Sequence, residues 1–189
     1  VAGGAEWIEI GTPLVKSEGM ESVRRMRDLF PTTTLVADLK TSDTGAIEVE
    51  MAAKAGANVV CVLAAADDAV IADALRGAAL YGVEIMADMM NVSDPAARAE
   101  ELAALGVQII NAHVGIGQQM TGKDPLALLD RLGKLPVKIA VAGGLNAETA
   151  AAAAARGADI VIVGGTIIKA ADVTAAAAAV RAALDSPKA

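Results

Sequence analysis

Short apolar runs alternate with longer alanine-rich stretches along the whole chain, and this alternation limits the folds open to it. The alanine-rich stretches carry Glu, Arg and Lys at helical spacing, and alanine is the best helix former. Apolar runs without polar alternation are typical of strands buried on both faces, which occur in parallel sheets. Seven such runs are present: WIEIGT, TLVADLK, NVVCVL, EIMADMMN, QIINAHV, KIAVAGG and IVIVGG.

The repeat length of roughly 25 residues predicts an α/β fold, a TIM-type (β/α) barrel, as one domain over residues 1–189. A closed barrel of this type has eight strands, whereas the pattern gives seven strands and seven helices. The opening residues, VAGGAE, are interpreted as the tail of a helix. We therefore expect the first strand and most of the first helix to be missing from this chain. The strands at WIEIGT and IVIVGG should then face each other across a slot of ~10 Å without pairing.

The composition argues against several classes of function. Hydrophobic residues make up 54% of the 189 residues, which predicts a packed core. The net charge of −7 argues against nucleic acid as a partner, because phosphate backbones are bound through excess Lys and Arg. Cys61 is the only cysteine and is expected in the core, so a reducing compartment is favoured. No apolar run reaches the ~20 residues of a membrane span, and no signal-peptide pattern opens the sequence. We expect a cytoplasmic protein without membrane association.

Several loops carry residues typical of helix ends. Gly56, Gly106 and Gly157 each stand between an alanine-rich stretch and an apolar run, where a left-handed residue ends a helix. Asp94 followed by Pro95 is a typical helix start. These signals support the assignment of helices between the strands.

Polar residues at the ends of the predicted strands are the candidates for chemistry, because function in such barrels lies at the carboxyl ends of the strands. The segment VADLKTSDTG, residues 36–45, places two carboxylates and an ammonium where a buried strand should end. Buried charges are costly unless they are paired or bind a metal. The candidates are Glu9, Asp38, Lys40, Asp43 and His113, the only histidine, with Asp88 and Asn91 as weaker ones.

Glycine pairs end the last two strands, at Gly143-Gly144 and Gly164-Gly165. Phosphate sites commonly form there in these barrels, since glycine lets the backbone approach an anion closely. A structural explanation exists for each feature by itself: a glycine pair as a tight turn, His113 as a hydrogen-bonded core residue, and Lys40 as the ion-pair partner of a neighbouring carboxylate.

Taken together, these residues fit one type of reaction. Two carboxylates on neighbouring strands, Glu9 and Asp38, suit Mg²⁺, which takes few protein carboxylates together with substrate oxygens. Lys40 can stabilise an oxyanion, and His113 can move a proton near neutral pH. With a phosphate site nearby, the set predicts metal-assisted enolisation of a phosphosugar ketone.

The segment DLKTSDTG resembles the Asp-x-Lys-x-x-Asp signature of the orotidine-monophosphate decarboxylase superfamily. Flanking segments resemble the 3-hexulose-6-phosphate synthase family, archaeal members in particular, over nearly the whole chain. They are EIGTPLVKSEGM, VADLKTSDTGAIEVEMAAKAGANVVCVL, HVGIGQQMTG, AVAGGLN and VIVGGTIIKAAD.

This resemblance implies a reversible, Mg²⁺-dependent aldol addition of formaldehyde to D-ribulose 5-phosphate. Glu9 and Asp38 would correspond to the metal-binding carboxylates, Lys40 to the lysine that stabilises the enediolate, and His113 to the proton-transfer base. Asp43 would reach across a homodimer interface into the neighbouring site. The backbone phosphate site would be formed by Gly143, Gly144, Gly164 and Gly165.

The chain departs from the family pattern in three places. Gly117 stands where the family usually has an aspartate, DMMNV stands for DLINV, and the opening strand with its active-site aspartate is absent. Two alternatives remain open. One is 3-keto-L-gulonate-6-phosphate decarboxylase, which tends to carry an arginine shortly after the histidine, where HVGIGQQ has none. The other is a non-catalytic phosphosugar-binding barrel.

Overall fold

The computed structural model describes residues 1–186. Seven strands form one parallel sheet in the order β1 to β7. The strands are β1 (Trp7–Ile10), β2 (Thr34–Thr41), β3 (Val59–Leu63), β4 (Glu84–Asp88), β5 (Ile109–His113), β6 (Lys138–Ala142) and β7 (Ile160–Ile162). The helices are α1 (Thr12–Glu18), α2 (Glu21–Leu29), α3 (Gly45–Ala55), α4 (Asp68–Tyr81), α5 (Pro95–Leu105), α6 (Ile116–Gln119), α7 (Pro125–Leu132), α8 (Ala147–Ala155), α9 (Gly165–Ile168) and α10 (Val173–Asp185). The α/β class and the seven strands are thus confirmed.

Two details of the helix assignment were wrong. Three connections contain a second helix, so ten helices occur among the described residues where seven were expected; the additional ones are α1, α6 and α9. Residues 1–6 form turns and no helix. The reason lies in Gly3 and Gly4, since glycine is a poor helix former and Gly4 has φ of 89°, outside the right-handed helical region.

The sheet is open between its first and last strands. Within residues 1–186, β1 pairs with β2 alone and β7 with β6 alone, as expected for strands that face each other across a slot. A cavity of about 620 Å³ lies here, lined by Trp7 and Glu9 of β1 and by Ile160 and Ile162 of β7, together with residues of α10. Side chains of β1 are therefore partly open to this space.

Side chains alternate between the two faces of the sheet along each strand, so the core has an outer and an inner layer. The outer layer lies between the sheet and the helices and contains most of the buried aliphatic residues, such as Val60, Ile85 and Ile110. The inner layer lies on the concave face of the sheet and consists of Val36, Val59, Cys61, Met86, Ile109 and Ala140. Because successive side chains of a strand point to opposite faces, the polar residues two positions further along these strands share the inner face.

The helix ends follow the sequence signals. Gly56, Gly106 and Gly157 have φ of 106°, 101° and 96°, the left-handed conformation expected after a helix. The Asp94 side chain accepts a hydrogen bond from the Ala97 N–H, at the start of α5. No helix within residues 1–186 is both long enough and apolar enough to span a membrane.

Candidate active site

An irregularity in β2 places the Lys40 ammonium group in contact with the Asp38 carboxylate. The pairing of β2 with β3 shifts register between Ala37 and Thr41, and Lys40 has φ of 52°, which is uncommon for a residue with a side chain. The Lys40 Nζ lies 2.9 Å from Oδ1 and 2.8 Å from Oδ2 of Asp38, although the two residues are only two positions apart. The strained backbone thus positions an ammonium group above the inner face of the sheet.

Asp88, at the end of β4, connects this lysine to His113. Its Oδ2 lies 3.0 Å from the Lys40 Nζ and 2.7 Å from the His113 Nδ1, and its Oδ1 accepts a hydrogen bond of 2.9 Å from the Met90 N–H. Its side chain is only 1% exposed. The sequence left Asp88 among the weaker candidates, since a residue there can simply cap the following loop, and its Oδ1 does accept from Met90. Its partners Lys40 and His113 lie on β2 and β5, and no local pattern reports such contacts.

The charges of this cluster are mutually stabilised. Burial by itself would lower the pKa of Lys40, but Asp88 and Asp38 outweigh it and raise that pKa. Burial would likewise raise the pKa of Asp88, but the bond to His113, the Lys40 charge and the Met90 N–H lower it. Asp88 is therefore an ionised acceptor at neutral pH. The His113 Nδ1 consequently donates to it, which leaves Nε2 as the nitrogen able to accept a proton.

Glu9 of β1 lies close enough to Asp38 for the two carboxylates to repel each other. Glu9 is open to the cavity beside β1, but the protein atoms packed around its carboxyl and the negative charge of Asp38 raise its pKa to about 7, against the opposing effect of Lys40 and His113. Asp38 is held by a second neighbour, since the Thr12 Oγ1 donates a hydrogen bond of 2.7 Å to its Oδ2. Sequence reasoning missed Thr12, although its place directly after β1 in the segment EIGTP was a usable signal.

The donor set around Glu9 and Asp38 fits a magnesium ion. The described residues contain no group of three or more His, Cys, Asp or Glu side chains placed to enclose a metal. Mg²⁺ does not require one, since it is usually held by one or two carboxylates and completes its shell with water and substrate oxygens. Burial is the main cause of the raised pKa of Glu9, and the negative charge of Asp38 adds to it; a divalent cation bound by both carboxylates would oppose both effects.

Asp43 lies apart from this cluster in the chain described. It is exposed in the loop between β2 and α3, and its Oδ1 accepts a hydrogen bond of 2.7 Å from the Thr44 N–H. Its expected role across a dimer interface therefore stays a prediction. The weaker candidate Asn91 also lies outside the cluster and accepts a hydrogen bond of 3.3 Å from Gln118.

The glycine pairs after β6 and β7 lie beside each other at the same end of the sheet. Gly143 and Gly144 have φ of 122° and 66°, and a Cβ at Gly143 would lie 2.4 Å from the Val114 carbonyl oxygen. The Thr166 Oγ1 donates a hydrogen bond of 2.7 Å to the Leu145 carbonyl, which ties the two loops together. The Gly164-Gly165 pair starts the short helix α9. The close contacts require glycine at 143, and the phosphate-binding role stays a prediction.

The fold and the site together define a (β/α)-barrel enzyme whose charged groups meet at the carboxyl ends of the parallel strands. The chain belongs to the orotidine 5′-phosphate decarboxylase / HUMPS family, whose profile matches residues 1–180.

Comparison with individual proteins confirms the expected resemblance. The chain is 38% identical to the 3-hexulose-6-phosphate synthase of Mycobacterium gastri over 185 residues, which cover 97% of this chain and 89% of the relative. A crystal structure of 3-hexulose-6-phosphate synthase superposes with a TM-score of 0.92 at 39% identity, covering 95% of this chain and 87% of that one. The 3-keto-L-gulonate-6-phosphate decarboxylase of Vibrio cholerae gives a TM-score of 0.81 at 30% identity, with 96% and 86% covered. These similarities confirm the expectation of an enzyme of the lyase class.

Proposed function

We propose that this chain catalyses the reversible, Mg²⁺-dependent aldol addition of formaldehyde to D-ribulose 5-phosphate, which gives D-arabino-hex-3-ulose 6-phosphate. The proposal rests on one observation, that Asp88 contacts two functional groups at once. Its Oδ2 lies 3.0 Å from the Lys40 ammonium and 2.7 Å from the His113 imidazole. A base and an oxyanion stabiliser are thereby fixed beside each other. The similarity to 3-hexulose-6-phosphate synthases supports the same reaction.

His113 begins the reaction by removing a proton from C1 of ribulose 5-phosphate through Nε2. Asp88 accepts the Nδ1–H and stabilises the resulting imidazolium. Lys40, held in its charged form by Asp88 and Asp38, stabilises the negative charge of the enediolate on its oxygens. A magnesium ion held by Glu9 and Asp38 would supply further charge stabilisation at these oxygens.

Bond formation follows from the enediolate. C1 attacks the formaldehyde carbon, the new C–C bond forms, and the C=O π bond of formaldehyde breaks to leave an alkoxide. The imidazolium of His113 returns the proton to that alkoxide, which regenerates the base, and the original C2 carbonyl becomes C3 of the product. Backbone groups of Gly143, Gly144, Gly164 and Gly165 would hold the phosphate away from the reacting carbon.

The active form is proposed to be a homodimer that shares Asp43. Asp43 is exposed at the start of α3, and the first turns of that helix expose Ile47 (60%) and Met51 (48%), which are four residues apart and share a face. Burial of this face against a second copy would bring the Asp43 loop to the neighbouring site. A cytoplasmic setting is proposed as well, supported by the lone buried Cys61 and the phosphorylated substrate.

Two alternatives make different chemical predictions. The decarboxylase is less similar in both identity and TM-score than the synthase structure, and no arginine follows His113 before Arg131. A non-catalytic barrel would have little reason to keep Asp88 buried between Lys40 and His113, because buried ion pairs often contribute no net stability over apolar residues.

The deciding assay uses the purified chain with Mg²⁺. Formaldehyde-dependent loss of D-ribulose 5-phosphate is expected, and the same reaction run with chelator in place of Mg²⁺ is the matched control. Release of carbon dioxide from 3-keto-L-gulonate 6-phosphate without aldol activity would favour the decarboxylase. Neither activity in a folded sample would favour the binding barrel.

A further inference from the structure

Asn111 of β5 is a buried polar residue that the mechanism above does not use. The residue is 4% exposed, and its Oδ1 has no hydrogen-bond partner among residues 1–186. It is the one such buried side-chain atom in that part of the chain. Leaving a buried polar group unpaired destabilises the folded protein, so a group of this kind needs a physical explanation.

The side chain lies on the inner face of the sheet, directly below the proposed base. Strand alternation gives Asn111 the same face as Ile109, which belongs to the inner layer of the core, and as His113. The strand register places Asn111 opposite Asp88 on β4 and opposite Ala140 on β6. Ala140 presents only a methyl group, so the neighbour on that side offers the amide no polar partner.

The chemistry of the amide indicates what it binds. Oδ1 accepts hydrogen bonds and therefore needs a donor, and Nδ2 on the same carbon donates. A hydroxyl group both donates and accepts, so it satisfies either end of the amide. The carbonyl oxygen of formaldehyde only accepts, whereas ribulose 5-phosphate carries several hydroxyl groups.

We infer that Asn111 binds a hydroxyl group of the phosphosugar from below and thereby contributes to the choice of sugar. This inference rests on the proposed function, because it takes the phosphosugar as the ligand of the site. Asn111 is then a specificity-determining residue of the inner face, one layer deeper than His113 and beside Asp88.

The experiment measures binding without turnover, by calorimetric titration of the chain with D-ribulose 5-phosphate in the presence of Mg²⁺ and absence of formaldehyde. Inorganic phosphate, which has no sugar hydroxyl, is titrated as the matched ligand control. Asn111→Leu keeps the size of the side chain and removes both polar atoms, and Asn111→Ala is the second variant. Ile109→Val, on the same face of β5, controls for a change of packing.

Both Asn111 variants are expected to bind ribulose 5-phosphate about 3- to 10-fold more weakly, the loss of one net hydrogen bond, and to bind phosphate as the wild type does. Ile109→Val should bind both ligands normally. In the free protein, Asn111→Leu should unfold at the same or a higher urea concentration, since it removes an unpaired buried group.

Unchanged affinity of both Asn111 variants for ribulose 5-phosphate would overturn the inference and would indicate that the amide binds a water molecule instead. Equal weakening towards the sugar phosphate and phosphate would overturn it as well, since no hydroxyl would then be involved. A wild-type chain that binds phosphate but no ribulose 5-phosphate would instead refute the proposed function.

Discussion

Replacement of Glu9 by glutamine gives a quantitative test of the two-carboxylate arrangement. Burial and the charge of Asp38 raise the pKa of Glu9 from 4.5 to about 7 in the folded protein. Glutamine keeps the shape of the side chain and removes the titrating group. The comparison of Glu9→Gln with the wild type therefore isolates the contribution of this one carboxyl to stability.

The direction in which pH changes the stability follows from the number of protons that the folded and unfolded states bind. Between pH 4.5 and about 7 the unfolded chain has released the Glu9 proton and the folded chain has kept it, so the free energy of unfolding falls as pH rises through this window. A rise of this size corresponds to at most about 3.5 kcal/mol, at roughly 1.4 kcal/mol per pH unit. Because Glu9 is open to the cavity beside β1, solvent screening reduces this contribution to the free energy of unfolding. We therefore expect the pH-dependent contribution of Glu9 to be about 1 kcal/mol.

The assay is urea unfolding of both proteins at pH 5 and pH 8 in the presence of chelator. The glutamine variant should gain about 1 kcal/mol over the wild type on going from the lower to the higher pH. Glu18→Gln, at an exposed site at the end of α1, controls for the replacement itself. When Mg²⁺ replaces the chelator, it should stabilise the wild type more than the Glu9 variant, since a ligand that binds only the folded state shifts unfolding by mass action. A difference between Glu9→Gln and wild type that stays constant from pH 5 to pH 8 would refute the reasoning.

Four further predictions concern the cluster and the dimer. Asp38→Asn should abolish activity and metal dependence while the circular dichroism spectrum stays native; near-normal turnover would remove Asp38 from the metal site. His113→Ala should slow deuterium exchange at C1 of ribulose 5-phosphate by ~10²–10⁴-fold in NMR assays, and unchanged exchange would exclude it as the base. Asp88→Asn should lower kcat with little change in KM, because it orients Lys40 and His113 without a substrate contact; a rise in KM alone would contradict this. Mixing Asp43→Ala with Lys40→Ala protein should restore some activity, and proven hybrid dimers without activity would disprove a shared site.

Local sequence patterns were sufficient to predict the strands, the longer helices between them and several of the candidate site residues. Strands buried on both faces lack polar residues, so a polar residue such as Asp38 or His113 stands out in an apolar run. The same patterns failed at residues 1–6, where two glycines oppose a helix, and at the short helices α6 and α9, which hold a single turn each and have no periodicity to detect.

Only the tertiary structure decided which of these residues meet. Asp88 is 25 positions from His113 and becomes its partner because β4 and β5 are adjacent in the sheet. Thr12 reaches Asp38 across 26 positions for the same reason. The register between parallel strands sets these contacts, and register is fixed by the packing of whole strands and helices, which no short stretch of sequence contains. The sequence by itself therefore determined the fold class and the types of chemical group available, while strand adjacency determined how those groups are joined into one site.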